Sequence, residues 1–240
     1  MQNLAGKIAI ITGGGTGIGR GIAVALAREE IRVVVCGRRE GPLDEVVQEI
    51  LSFGGQALGV QADVSLEKDV ERVVSSAMDV FGAVDILVNN AAIGGGAAIH
   101  SHSVVDWDQI MAVNLRGPFL MCRAVLPILR AKRNGHIFNI SSESGLEYYQ
   151  EDGAYGVSKH ALNALGEYIQ RENQDMNIRL DTICPGMVVT EMTERSQGLD
   201  HSKCLYPEDI ADLVLWLLSR RSNIKIGKSV LIQTMKNPWV

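Results

Sequence analysis

Lys7-Ile8-Ala9-Ile10-Ile11-Thr12-Gly13-Gly14-Gly15-Thr16-Gly17-Ile18-Gly19 is the stretch whose reading decides the fold. Its first half is a compact apolar run of the kind found in a strand buried on both faces. The run passes directly into glycines, and then into Ile22, Ala23, Ala25, Leu26 and Ala27, which carry a helical pattern. Strand, glycine turn and helix in that order aim helix N-terminal amides at a phosphate. The turn is not a Walker A loop, because Gly19 is followed by Arg20-Gly21 and not by Lys-Ser/Thr. It also misses the G-x-G-x-x-G spacing and reads T-G-x-x-x-G-x-G. Taken alone, a tight strand-to-helix connection accounts for it equally well.

Outward from this stretch the same alternation repeats. Apolar runs at 32–36, 56–61, 85–88, 135–141, 178–184 and 229–233 read as further strands. Helical patterns separate them at 44–53, 66–80, 106–115 with 119–130, 155–169 and 207–218, the last with Pro207 in its first turn. No repeat, low-complexity segment or linker interrupts the series. The expectation is a single-domain α/β Rossmann fold, a doubly wound parallel sheet of about seven strands with helices on both faces. A cofactor half would cover about 1–135 and a catalytic half about 136–240, with a short lid at about 191–206.

Composition narrows the function classes. The chain has 240 residues, 46% apolar and 21% charged, enough to bury a large core. A net charge of −5 and a pI near 5.6 argue against nucleic acid as a partner. Four cysteines, at 36, 122, 184 and 204, show no CxxC spacing and read as reduced residues of a cytoplasmic protein. The run Ile8–Ile11 is too brief for a signal peptide, and no stretch approaches the ~20 apolar residues of a membrane span. His100 and His102 form an H-x-H pair without a third ligand at suitable spacing, so no metal site is expected.

Ligands of doubly wound sheets bind at the carboxyl ends of the strands, and the chemistry-bearing residues fall there. The second strand ends in Gly37-Arg38-Arg39, where a dinucleotide fold that prefers NAD carries an acidic residue for the ribose hydroxyl. With no carboxylate to repel a 2′-phosphate and two arginines beside it, NADP(H) is favoured over NAD(H). Asp63-Val64 follows the third strand, where Asp63 suits either an adenine edge or the cap of the next turn. Asn89-Asn90-Ala91-Ala92 ends the fourth, positioned for loop backbone or ligand hydroxyls. Asn114 lies among apolar neighbours and must be hydrogen-bonded, either patching a kink near Gly117-Pro118 or serving the site. Ser142 ends the fifth strand. Tyr155 and Lys159 lie one helical turn apart and point into one site, where an ammonium would lower the phenol pKa. A tuned acid/base beside a neutral donor suits proton transfer at a carbonyl or hydroxyl. Pro185-Gly186 breaks the sixth strand, and Thr190 follows it.

Together these pieces resemble the short-chain dehydrogenase/reductase family over nearly the whole chain. The motifs are Thr12-Gly13-x-x-x-Gly17-x-Gly19, Asp63-Val64, Asn89-Asn90-Ala91, Asn114, Ser142, Tyr155-x-x-x-Lys159 and Pro185-Gly186-x-x-x-Thr190. The resemblance implies hydride transfer between nicotinamide and a ketone or secondary alcohol. It makes Tyr155 the general acid/base, Ser142 the holder of the substrate oxygen, and Lys159 the partner that depresses the tyrosine and bonds the nicotinamide ribose. Asn114 would keep a water between Lys159 and solvent. Gly15, Thr16, Ile18 and Val188, lying inside the matched motifs, join the implied cofactor contacts. It also implies a small-molecule substrate and a homodimer or homotetramer built on helices around 119–131 and 155–171. Two departures stand out: Ala92 replaces a usual glycine, and the C-terminus reads Gln233-Thr234-Met235-Lys236-Asn237-Pro238-Trp239 instead of Asp-Gly-Gly. A thioester substrate would need a basic patch near the lid, where the sequence offers Arg195 and Lys203. A cofactor-sensing protein without turnover is the rival reading, and it would tolerate loss of the Ser, Tyr or Lys that this chain retains.

Overall fold

A computed structural model of the chain describes residues 4–194, 196, 198–221 and 223–239; Arg195 lies outside these. Strands β1 (Ile8–Thr12), β2 (Arg32–Gly37), β3 (Ala57–Gln61), β4 (Ile86–Asn89), β5 (Gly135–Ile140), β6 (Ile178–Pro185) and β7 (Val230–Ile232) form one sheet in the order β3-β2-β1-β4-β5-β6-β7. Every pairing is parallel. The order reverses direction between β1 and β4, so a crevice opens there at the carboxyl ends of the strands.

The continuous apolar strands follow from burial on both faces. Along β1, Ala9 and Ile11 join one core, while Ile10 joins the other. The first core is closed by α1 (Gly17–Arg28), α2 (Glu40–Ser52) and α7 (Pro207–Leu218), through residues such as Ile22, Leu26, Val46 and Val214. The second is closed by α3 (Glu67–Phe81), α5 (Gly117–Lys132) and α6 (Gly153–Asn173), through Val73, Val125 and Ile169. All four cysteines are unpaired and buried.

Three local outcomes differ from the periodicity. Helix α2 begins at Glu40, earlier than the apolar pattern from Asp44 indicates, because Glu40 and Pro42 both suit a first turn. Gly117-Pro118 does not divide the helices on either side of it. Helix α4 (Val104–Met111) runs through a π-helical turn, Ala112–Arg116, into α5, with Pro118 in the second position of α5 directly after the π-turn. The resulting run, Val104–Lys132, holds a stretch of 18 residues apolar enough for a membrane span, contrary to the expectation of no such stretch. Half of that stretch is buried in the fold, as in a core helix. The C-terminal tail returns to the segment before α7: Trp239 bridges Leu199, and Asp200 N donates to Pro238 O at 2.8 Å.

Candidate active site

The glycine turn is built by strain that only glycine relieves and by a strut from β4. Gly17 has φ +52°, and a Cβ there would press on Thr190 at 3.1 Å. At Gly19 a Cβ would sit 2.2 Å from Gly13 O and 2.5 Å from Asn90 Nδ2. That amide group donates to Thr12 O (2.9 Å) and Gly13 O (3.2 Å), while Thr12 Oγ1 accepts from the backbone of Asn90 and Ala91, both at 3.0 Å. Asn90 therefore holds the turn in place. Helix α1 has no side-chain cap and no acidic residue in its first turn, which keeps its amides and positive dipole end available to an anion.

Two cavities meet beside this turn. The first, about 690 Å³, is lined by Gly13, Gly15, Thr16, Gly17 and Ile18 and continues past Gly37, Arg38, Arg39, Asp63 and Val64 to Asn90, Ala91 and Lys159. The second, about 460 Å³, opens on Ser142, Pro185, Gly186 and Val188. Tyr155 and Thr190 line both. Three residues singled out from the sequence stand apart. Asn89 turns into the core at 2% exposure and donates to Asn139 Oδ1 (2.9 Å), because alternation along β4 sends it away from the crevice. Gly19 lies beneath the turn. Asn114 is buried in the π-turn, where its side chain pairs with both backbone groups of Ile93 at 2.9 Å and donates to Ser158 Oγ at 3.1 Å. Asn114 thus locks the loop after β4 against the helix that carries Tyr155.

Asp63 proves to be a cap: its Oδ1 accepts from Ser65 N (2.9 Å) and Ser65 Oγ (2.7 Å), while the residue still lines the first cavity. Arg39 is paired with Glu191 at 2.6 Å across the cavity mouth, and Arg38 has no ion-pair partner among the described residues. Sequence reading did not anticipate Glu191, Met192 or Pro42 in this wall.

Helix α6 brings Tyr155 and Lys159 to the strand ends one turn apart. Lys159 Nζ donates to Ile140 O (3.0 Å) and stands 5.4 Å from the Tyr155 ring centroid. The lysine is only 2% exposed, and burial lowers its pKa to about 8. Burial likewise pushes the Tyr155 phenol up to about 12; a hydrogen bond with the Ser142 side chain works against this, and the nearby Asp152, Cys184 and Glu143 add to it. The expected depression of the phenol by Lys159 is therefore not met: removal from water sets the direction, and the one opposing influence is the Ser142 side chain. Ser142 Oγ accepts from Ser144 N at 3.2 Å, which fixes the hydroxyl at the start of a short turn. The ensemble offers a phenol and an alcohol side by side, with a buried ammonium behind them, at the junction of two cavities.

A family model described as short chain dehydrogenase matches residues 7–199. An uncharacterized oxidoreductase of Staphylococcus epidermidis is 32% identical over 228 residues, covering 95% of this chain and 97% of that protein. Among solved structures, the alcohol dehydrogenase of the archaeon Thermococcus sibiricus, complexed with 5-hydroxy-NADP, superposes with a TM-score of 0.89 at 27% identity, covering 98% of this chain and 99% of its own. A short chain dehydrogenase/reductase from Burkholderia phymatum in complex with NAD gives 0.88 at 27% identity, over 96% and 90%.

Proposed function

The chain belongs to the short chain dehydrogenase family, and from that premise we propose an NADP(H)-dependent oxidoreductase that interconverts a ketone and a secondary alcohol, with Tyr155 as general acid/base. The observation that carries the reading is the position of Tyr155 on the wall between the two cavities, with Lys159 opening on one side and Ser142 on the other. A nicotinamide cofactor in the first cavity supplies the hydride. The residues there fit such a group: the uncapped start of α1 and the glycine turn suit its pyrophosphate, and Gly37 leaves the ribose edge without a carboxylate.

In reduction, Ser142 Oγ donates a hydrogen bond to the carbonyl oxygen and Tyr155 Oη delivers the proton to it as the alcohol forms. A phenol held near 12 is fully protonated at neutral pH, which suits it to the acid role. Lys159 holds a positive charge behind the phenol and stabilises the phenolate that proton delivery leaves. Asn114, through Ser158, steadies the helix turn from which both project; Ser158 Oγ donates to Tyr155 O at 2.6 Å. NADP(H) preference rests on Arg38. Arg39 is engaged by Glu191, but both partners are more than half exposed, and a surface pair of this kind is worth only about 0–1 kcal/mol, so a phosphate can compete for it.

We place the protein in the cytoplasm, in keeping with four buried thiols, and assign self-association to the faces of α5 and α6, where Phe119, Val157 and Tyr168 are exposed. Light scattering of the purified protein tests the latter, and a monomer would refute it. For the function itself, fluorescence titration should show NADPH bound at least about tenfold more tightly than NADH, the contribution of one charge-assisted hydrogen bond. Equal or reversed affinities would remove the Arg38 assignment. Tyr155→Phe should lower kcat by at least about a hundredfold while NADPH affinity stays within a few-fold; near-native turnover would reject the catalytic assignment.

A further inference from the structure

The second cavity, read above as the substrate's, has a wall chemistry that the hydride-transfer reaction does not require. Glu143 and Asp152 line it together with Ser142 and Tyr155, and among its described lining residues there is no Lys, Arg or His. Both carboxyls are about half buried: burial pushes each of them up, Glu147 adds to the effect on Glu143, and a hydrogen bond with the Ser144 side chain works against it at Asp152. Neither has a cation partner among the ion pairs of the described residues. Independently of these acids, two half-exposed aromatic side chains face the same space. Tyr149 is 49% exposed, and Trp239, carried back by the tail, is 48% exposed. The carboxylates also act on Tyr149, whose phenol is raised by burial and then by Glu143, Glu147 and Asp152.

Carboxylates without counter-ions and open aromatic faces both attract one class of group, a weakly hydrated organic cation. They repel an anion. We propose that the substrate of this chain is a ketone or secondary alcohol bearing a substituted ammonium group, held between Glu143, Asp152 and the rings of Tyr149 and Trp239 while its carbonyl meets Ser142 and Tyr155. The pairing also serves catalysis. Asp152 and Glu143 raise the Tyr155 phenol electrostatically, and an ammonium bound between them offsets that influence, so the cation favours the tyrosinate that proton delivery produces. The same wall disfavours carboxylates, phosphates and carrier-linked thioesters.

Three ketones of similar size separate the possibilities: acetonyltrimethylammonium, whose charge is fixed; methyl neopentyl ketone, its uncharged isostere; and levulinate, an anion. With NADPH as reductant, kcat/KM should be at least about tenfold higher for the cation than for the isostere, the low end of one charge-assisted contact, and lowest for levulinate. In the Glu143→Gln, Asp152→Asn double variant the cation-to-isostere ratio should fall towards one; a ratio cancels any general loss of folded protein. Turnover of the isostere without a cation advantage, or an advantage that survives the double substitution, overturns the cation assignment alone. Dihydroxyacetone outperforming the cation overturns it too, in favour of hydroxyl recognition by the same carboxylates. Calorimetric titration of the cation and its isostere needs no turnover: selective cation binding that the double variant loses supports the cavity assignment, even where absence of reduction with bound NADPH refutes the hydride-transfer reading.

Discussion

Replacing Lys159 with methionine separates what the ammonium costs the fold from what it does for the site. Burial lowers this group from 10.5 to about 8. At about 1.4 kcal/mol per pKa unit, holding the charge inside the native protein at neutral pH costs about 3 kcal/mol. The sign is fixed by which state holds the proton. Between pH 8 and 10.5 the unfolded chain keeps a proton that the folded chain has released, so native stability rises with pH across that window and the full penalty applies below it. Methionine fills a similar volume without charge, but it forfeits the bond from Nζ to Ile140 O, about 1.5–3 kcal/mol for a charged donor. The two effects nearly cancel at pH 7, and the variant should lie within about 2 kcal/mol of the native protein there. Towards pH 10.5 the native protein should gain about 3 kcal/mol on the variant. Urea unfolding of both proteins at a series of pH values measures this difference directly, and other titrating groups cancel because both chains share them. Stability curves that stay parallel across the window would refute the claim that this lysine is charged and buried in the native state. Turnover should be lost at every pH.

Gly19→Ala places a Cβ against Gly13 O and displaces the Asn90 amide, so NADPH affinity should fall by at least about tenfold and stability by about 2–4 kcal/mol, read by titration and urea unfolding; native affinity would show that the turn tolerates the shift. Asn114→Leu leaves the N–H and C=O of Ile93 unpaired at about 1–3 kcal/mol each, and stability should drop by about 2–4 kcal/mol with kcat falling more than NADPH affinity. An unchanged melting temperature would remove Asn114 from its bracing role.

Much of the architecture was legible because parallel strands buried on both faces leave unbroken apolar runs, and glycine turns leave runs of glycine. The Tyr155–Lys159 pair was legible from helical spacing, and Ser142 from its place after an apolar run. Other features depend on partners far along the chain. Nothing local marks Asn89 as a core residue and Asn90 as a strut; the difference is one step of strand alternation, resolved only by Asn139 and Thr12. The π-turn at Ala112–Arg116 exists because Asn114 finds Ile93 and Ser158, which no periodicity within the helix reveals. Phenol chemistry was misjudged for a similar reason: the sequence displays the neighbouring charge but hides the depth of burial. Trp239 reaches the second cavity through contacts of the tail with Leu199 and Asp200, between two irregular segments.

The place of β4 beside β1 also bears on how the chain is made. Strands β1 to β3 can pair as soon as they leave the ribosome, but the inner edge of β1 stays open until Ile86–Asn89 arrives. An open, wholly apolar edge is a template for the wrong partner. The glycine turn is likewise unsupported until Asn90 is synthesised, and the Ile140 carbonyl has no lysine donor until Lys159 follows it. The first cavity is thus completed late in synthesis, because the strut at Asn90 and the side chain of Lys159 both come from segments made after the glycine turn.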